Sequence, residues 1–431
     1  MAKQLIFLVV LLIALGIFAW TISRIIAFFR LTKPAFTVRN IGKRINVTLK
    51  VAIGQSKILR WPFTGLLHAL VFWGFMVITV GSLEMVVDGL AGTERVLGAL
   101  GVVYDIIIGS GDVFAAVVLI AILVFLARRL FLSIGRFRGE EIKKISKIDA
   151  NIALTMILLL MVSLLGMNIG YVALHGHNQI GVYPVSQWLA GYITSGMSIY
   201  GANIFHEVNW WAHILLIFIF ANILPYSKHF HVFTSVPNVF LSRLEPLGYL
   251  PNMGNVMNEV KLMMNPEAAS TETPPISRFG VKDVEDTSWK NYFDALACTE
   301  CGRCTSVCPA AITGKKLSPR KIFVDLRARM KEKGPDLIKN GIDYSDNKSL
   351  IRDYISEEEL WACTTCNACA QECPININHP TLIVDMRRYL VMEEAAAPAG
   401  LNMMFTNIEN NGAPWQRGPE ERLAWTESLN V

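Results

Sequence analysis

Eight cysteines fall into two runs of one spacing: Cys298-x-x-Cys301-x-x-Cys304-x-x-x-Cys308-Pro309 and Cys363-x-x-Cys366-x-x-Cys369-x-x-x-Cys373-Pro374. Three thiolates two residues apart can wrap an iron–sulfur cubane in a tight loop. The fourth of each run, carried onto the next turn and directed away by its proline, reaches the neighbouring cluster. The spacing therefore assigns Cys298, Cys301, Cys304 and Cys373 to one [4Fe–4S] cluster, and Cys363, Cys366, Cys369 and Cys308 to a second. Zinc is the competing use, but zinc sites pair two short Cys-x-x-Cys knuckles and do not repeat a four-cysteine run ending in proline. No cysteine lies outside the runs, so none is left for a disulfide.

Histidine supplies the other metal-ligating candidates. His68 stands about one and a half turns inside an apolar run, a depth at which an ionisable side chain is a functional candidate; the plainer alternative is a hydrogen bond to a neighbouring helix. His213 and His231 are 18 residues apart, roughly 27 Å of rise if one helix continues through Pro225, which would put one near each membrane surface. Axial ligation of haem takes two facing imidazoles from different helices of a bundle. His68 is level with His231 in an antiparallel arrangement, so these two are the first expected pair. His229 is a rival to His231, because residues two apart on a helix differ by about 200° in facing.

The elements that must hold these residues are legible from composition. Of 431 residues, 52% are apolar and 17% charged, a balance that excludes an ordinary soluble enzyme and, for most of the chain, disorder. Five apolar runs stand out: Leu5 to Phe29, Phe63 to Val87, Val113 to Leu132, Ile152 to Leu174, and Trp210 to Leu224 with its flanks. Each of the first four is long enough for a hydrocarbon core that takes about 20 helical residues to cross, and the fifth needs its flanks. The first run, with no small-residue cleavage site behind it, reads as a retained helix rather than a signal peptide.

Charge sets the orientation. The connection 31–61 holds seven Lys/Arg and no acid, and 127–150 holds seven against three acids, whereas 89–110 has one and 175–209 none. The positive-inside rule then places the N-terminus outside and the cysteines in the cytoplasm, a reducing compartment where ligation is their expected use. On that side, an Asn46-Val47-Thr48 glycosylation match carries no weight. Residues 1–260 carry 20 Lys/Arg against 11 Asp/Glu, and the remainder 20 against 24. The basic excess lies between oily helices rather than on one compact face, which argues against nucleic-acid binding. No Gly-x-Gly-x-x-Gly follows a strand and no Walker-type Gly-Lys-Ser/Thr occurs, so flavin or nicotinamide would be bound elsewhere.

The run Trp211-Ala212-His213, Leu224-Pro225-Tyr226-Ser227-Lys228-His229-Phe230-His231 and Ser235-Val236-Pro237 resembles the last helix of the membrane cytochrome b subunit of respiratory nitrate reductase, over roughly residues 1–240. The resemblance implies five helices with two stacked haems b, each bound by one histidine from the second helix and one from the fifth. Here the second helix carries one histidine, and the place expected for another is apolar around Ile78. One haem b is expected and two are possible; His175, His177 and His206, in or beside the outer loop, are either substitute partners for His213 or simply solvated loop histidines.

Residues 241–286 carry several prolines and glycines and a Thr/Ser/Glu-rich stretch at 267–277, and read as linker. A short helix from Trp289 to Leu296 leads into the cysteines, and a mixed-charge helix from Pro319 to Lys331, a face usually solvated or used to dock a partner, lies between the runs. The two clusters with interchanged fourth ligands resemble the ferredoxin-like module of heterodisulfide-reductase and anaerobic glycerol-3-phosphate dehydrogenase iron–sulfur subunits. The tail Asn407-Ile408-Glu409-Asn410-Asn411-Gly412-Ala413-Pro414-Trp415, with Arg422 and Trp425, is similar to the stretch that in that group leads into cysteine-rich domains with a paired Cys-Cys. The resemblance implies that such domains, or a flavoprotein, sit on a separate cytoplasmic polypeptide to which residues 396–431 dock.

The fold expected is thus membrane all-α: a five-helix transmembrane cytochrome b bundle (1–240), a linker (241–286), a cytoplasmic, mostly α dicluster ferredoxin-like domain (287–395) and a docking tail (396–431). The function expected is that of an oxidoreductase subunit in a prokaryotic cytoplasmic membrane, with the catalytic substrate domain on another chain. It would relay electrons between a cytoplasmic partner and menaquinone. Glu84 and Asp112 are near-membrane acids that either pass protons or are simply solvated at the interface. The alternative is a membrane-bound iron–sulfur redox sensor without haem.

Overall fold

The structure, a computed structural model, describes residues 1–137, 139, 141–265 and 278–429. The Thr/Ser/Glu-rich stretch 267–277 and the end of the tail at 430–431 lie outside the described residues. Among the described residues no strand forms, and every regular element is helical.

The membrane part runs α1 (Ala2–Phe29), α2 (Ile41–Thr48), α3 (Pro62–Ala91), α4 (Val102–Phe131), α5 (Lys144–His175), α6 (Pro184–Ile193), α7 (Ile199–Ile223) and α8 (His231–Phe240). Five of these, α1, α3, α4, α5 and α7, are long and apolar enough to cross a membrane. Their ends follow local chemistry. Pro62 opens α3, where its missing N–H leaves no bond unmade, and Gly92 closes it in the left-handed conformation at φ 71°. Apolar residues occur all round these helices, as expected of helices that face lipid on one side and each other on the other.

α5 and α7 make the closest pair because α5 offers two glycines one turn apart. A Cβ at Gly170 would lie 2.9 Å from His206 Cα, and one at Gly166 would overlap the amide of Asn209. Such small residues let two helix backbones approach in a bilayer. The end of the bundle away from the cysteines is braced by buried carboxylates. Asp112 on α4 accepts from the backbone N–H groups of Val185 (2.8 Å) and Ser186 (2.9 Å) at the start of α6, and Glu84 on α3 accepts from Leu97 N–H and the Tyr104 hydroxyl. Both acids are buried and partnered rather than solvated.

One continuous helix does not join His213 to His231. α7 stops at Ile223 because Pro225 has no N–H to give the next turn. Two short 3₁₀ turns follow, and His231 begins α8, a separate helix. α8 is anchored beyond the bundle: fully buried Asn238 donates to Asp294 Oδ1 (2.9 Å) and to the Ile375 carbonyl (3.0 Å).

Past α9 (Gly254–Met264), the cysteine-bearing part comprises α10 (Trp289–Ala297), α11 (Arg303–Ser306), α12 (Pro309–Ile312), α13 (Pro319–Asn340), α14 (Glu357–Trp361), α15 (Ala368–Glu372) and α16 (His379–Met392), then α17 (Ala399–Asn411) and α18 (Ala424–Glu427) in the tail. Within the span read as linker, α9 is helical and Val281 and Val284 are core residues. The core of this part reaches into the foot of the bundle. Phe28 of α1 belongs to it, the Phe29 ring meets Tyr292 edge-on at 4.9 Å, and Gly334 on α13 leaves room for the Phe28 ring.

Candidate functional site

The two cysteine loops share a backbone. Glu300 (φ 59°) and Gly302 (φ 76°) in the first correspond to Thr365 (φ 54°) and Asn367 (φ 61°) in the second, at the same distances from the leading cysteine. Left-handed backbone at Glu300 and Thr365 is unfavourable for side-chain-bearing residues, and it persists where the surroundings enforce it, commonly at functional sites. Its effect is to turn peptide N–H groups inward, so that Thr365 N–H points at Cys363 Sγ (3.4 Å). Pro309 then opens α12 directly after Cys308.

The loops interleave. The sulfurs that act electrostatically on Cys304 are foremost those of Cys301, Cys298 and Cys373, whereas Cys369 is acted on by Cys363, Cys308 and Cys366. The fourth cysteine of each run thus stands with the first three of the other. Among the described residues no three His, Cys, Asp or Glu side chains close on a point tightly enough for a single ion. Cys298, Cys304, Cys308, Cys369 and Cys373 are buried, Cys301 and Cys363 partly so, and Cys366 is exposed. Burial pushes the Cys298 thiol up to about 11 and those of Cys369 and Cys373 to about 12. Uptake of iron by these thiols must therefore release protons.

The Cys298/Cys301/Cys304/Cys373 quartet is the one against the bundle. Lys57, in the turn leading to α3, donates to the Cys373 carbonyl (3.1 Å). Arg303, between Cys301 and Cys304, reaches back to the carbonyls of Lys57 (2.7 Å) and Ile58 (3.0 Å). Trp61 Nε1 donates to Glu372 Oε1 at 3.0 Å. On the other flank Ser146 and Lys228 contact Glu300, and Arg320 pairs with Glu141 (2.6 Å) and donates to the Arg136 carbonyl.

The histidines beside this docking face differ in their surroundings. His68 Nδ1 and His231 Nδ1 are buried without a hydrogen-bond partner, and the two imidazoles are close enough for their charges to interact. His229 is engaged instead: its Nδ1 lies 2.9 Å from Ser227 Oγ and 3.7 Å from Asp149 Oδ2. His213, deeper in the bundle, has Nδ1 at 3.0 Å from the Leu160 carbonyl and 3.1 Å from Ser163 Oγ, which leaves its buried Nε2 unpartnered. A ring nitrogen donating to a carbonyl leaves the other with its lone pair free, the state a metal requires. Ile78, at the level where a second α3 histidine would stand, is core. His206 contacts the Met167 carbonyl at 2.9 Å, His175 that of Tyr171 at 3.0 Å, and His177 is exposed.

Sequence reasoning passed over the cations. The mixed-charge α13 is not simply a solvated face: Arg320, Arg327, Arg329 and Lys333 are buried, each against a carboxylate or carbonyl, while Glu332, Asp336 and Lys339 are exposed. The one available sign was Arg303, set inside the cysteine motif itself.

Residues 297–377 match the family model of the 4Fe-4S dicluster domain. Across its length the chain is similar to curated iron–sulfur oxidoreductases. It is 29% identical to the probable iron-sulfur-binding oxidoreductase FadF of Bacillus subtilis, covering 99% of this chain and 61% of that one. It is 28% identical to the EtfAB:quinone oxidoreductase of Syntrophomonas wolfei, covering 91% and 55%. One polypeptide of the dihydromethanophenazine:CoB–CoM heterodisulfide reductase of Methanosarcina acetivorans is 30% identical over 33% of this chain and 35% of its own. The chain therefore spans about 55–61% of the length of the first two relatives. No solved structure matches it. It is an iron–sulfur protein with a dicluster domain, joined to five helices fit to cross a membrane.

Proposed function

We propose that this chain is an electron-transfer subunit of a membrane quinone oxidoreductase, relaying electrons between a cytoplasmic redox partner and menaquinone. Cys298, Cys301, Cys304 and Cys373 would hold the [4Fe–4S] cluster nearer the bilayer, and Cys363, Cys366, Cys369 and Cys308 the outer one. His68 and His231 would ligate haem b. Each of these centres, when bound, carries one electron at a time.

The single observation that carries the reading is the docking of the Cys373 turn, through Lys57, Arg303 and Trp61, onto the end of the bundle where His68 and His231 lie with unpartnered ring nitrogens. The residues fit haem at that level because each half-buried imidazole has a buried, unpartnered ring nitrogen and the two are mutually close and borne by different helices. His229, held by Ser227 and Asp149, is the weaker ligand. At His213 one nitrogen is poised but no partner stands on α3, so one haem is favoured over two.

With the basic connections inside, the dicluster domain faces the cytoplasm and the N-terminus lies outside. Exposed Cys366 marks the outer quartet as the place where a partner exchanges electrons. The Syntrophomonas relative, named for EtfAB and quinone, supports a flavoprotein partner, and a subunit with cysteine-rich domains is the other candidate. Residues 396–431 would dock it.

A visible spectrum of the purified protein, reduced minus oxidised, tests the relay together with iron and sulfide analysis. Sharp b-type bands with iron and sulfide for two clusters are expected. Cluster absorbance without haem would overturn the relay in favour of a redox sensor, and zinc in place of iron would overturn both.

A further inference from the structure

The two quartets lie in different fields. Lys57, Arg136, Arg303 and Arg327 all act on the quartet against the bundle. The first donates to the Cys373 carbonyl and Arg327 to that of Cys298 (2.8 Å), while the Arg136 and Arg303 guanidinium groups lie 4.8 and 5.2 Å from the Trp61 ring centre and both interact with the Cys301 charge. The Arg303 side chain is 7% exposed. Two carboxylates stand among these cations, and both have further partners: Glu372 is also bound by Arg60 and Trp61, and Glu300 by Lys228. The outer quartet has Arg387 on the Cys363 carbonyl.

Four thiolates around a [4Fe–4S] core make an anionic assembly that becomes more so on taking up an electron. Burial opposes that step, since it removes the water that would solvate the extra charge. A buried cation favours it, and the lower dielectric that makes burial costly also strengthens the cation's pull. The quartet against the bundle is the more deeply buried of the two, so it most needs compensation, and it has most of the cations.

We infer that Arg303 and Lys57 are positioning residues for electron transfer, raising the reduction potential of the cluster on Cys298, Cys301, Cys304 and Cys373 so that an electron arriving at the outer cluster can move on toward the membrane. Arg303 is also close enough to His68 for their charges to interact, so it stands on the route between the two. The inference rests on the reading of the cysteines as two [4Fe–4S] clusters and not on haem.

The test is an EPR-monitored redox titration of the purified chain and of Arg303→Gln, Arg303→Lys, Lys57→Gln and Arg387→Gln variants. Arg303→Gln and Lys57→Gln should move the same signal to more negative potential and leave the other in place. Arg303→Lys, which keeps the charge, should stay near the parent value, and Arg387→Gln should move only the other signal. Both midpoints unmoved in Lys57→Gln and Arg303→Gln, or both moved equally, would overturn the inference. Should Arg303→Gln lose its iron, Lys57→Gln decides. Iron and sulfide for fewer than two clusters in the parent protein would instead sink the underlying reading, before any variant is compared.

Discussion

Arg329 on α13 closes a two-pronged ion pair on Asp283, Nη2 to Oδ2 at 2.7 Å and Nε to Oδ1 at 3.0 Å, with neither side chain more than 2% exposed. Lys333, one turn on, reaches the same carboxylate at 2.9 Å. This pair pins the segment before the cysteines to the longest helix of their domain. Asp283→Ala removes the most buried carboxylate of this cluster, while Arg329 keeps Asp346 and Lys333 keeps Glu285, and should cost about 1–3 kcal/mol, read as a lowered unfolding midpoint of the cysteine domain. A loss below about 1 kcal/mol, the range of an exposed pair, would mean that the pair holds nothing together.

His379 gives the domain an acid sensitivity of its own. It is buried, edge-on to Phe323 at 5.2 Å, and burial lowers its pKa to about 3 against a weaker opposing bond at Ile377. The unfolded chain takes up this proton near pH 6.5 and the folded chain does not. Stability is therefore lost as pH falls below about 6.5, by about 1.4 kcal/mol per pH unit until about pH 3. His379→Gln should flatten that part of the profile, measured as the difference in thermal midpoint between pH 7 and pH 5. Parallel profiles for the two proteins would refute the assignment.

Gly170 tests the packing of α5 on α7. A methyl group there meets backbone atoms of His206 that cannot swing aside, so Gly170→Ala should lower stability in detergent by about 1–3 kcal/mol. Gly16 on α1 has open space around it and serves as the control, with Gly16→Ala neutral or slightly stabilising. Equal effects at the two glycines would show that close approach plays no part.

The histidines separate by spectrum. His68→Ala and His231→Ala should each abolish the b-type bands, whereas His229→Ala, which loses a ring held by Ser227 and Asp149, should keep them. Retention of a full haem complement in His231→Ala would reassign the ligand.

A repeated spacing constrains topology directly, so Cys308 and Cys373 could be exchanged on paper before any contact was known. The five long helices were equally plain, since runs of apolar residues depend only on composition. What stayed hidden depended on tertiary partners. Nothing in the order of residues says that Arg320 will find Glu141 or Arg329 will find Asp283, so α13 read as a face usually solvated or used to dock a partner. His229 and His231 lie two residues apart, and only Ser227 and Asp149 distinguish them. The break after Ile223 was signalled by Pro225, but the new direction of α8 was not.

That change of direction means His231 is carried by two masters. α8 is bolted through Asn238 to Asp294 and to the Ile375 carbonyl, two residues past Cys373, whereas His68 rides on α3. Any tilt of the cysteine-bearing module against the membrane helices drags one imidazole and leaves the other behind, so the gap between these rings gauges how squarely the module is seated.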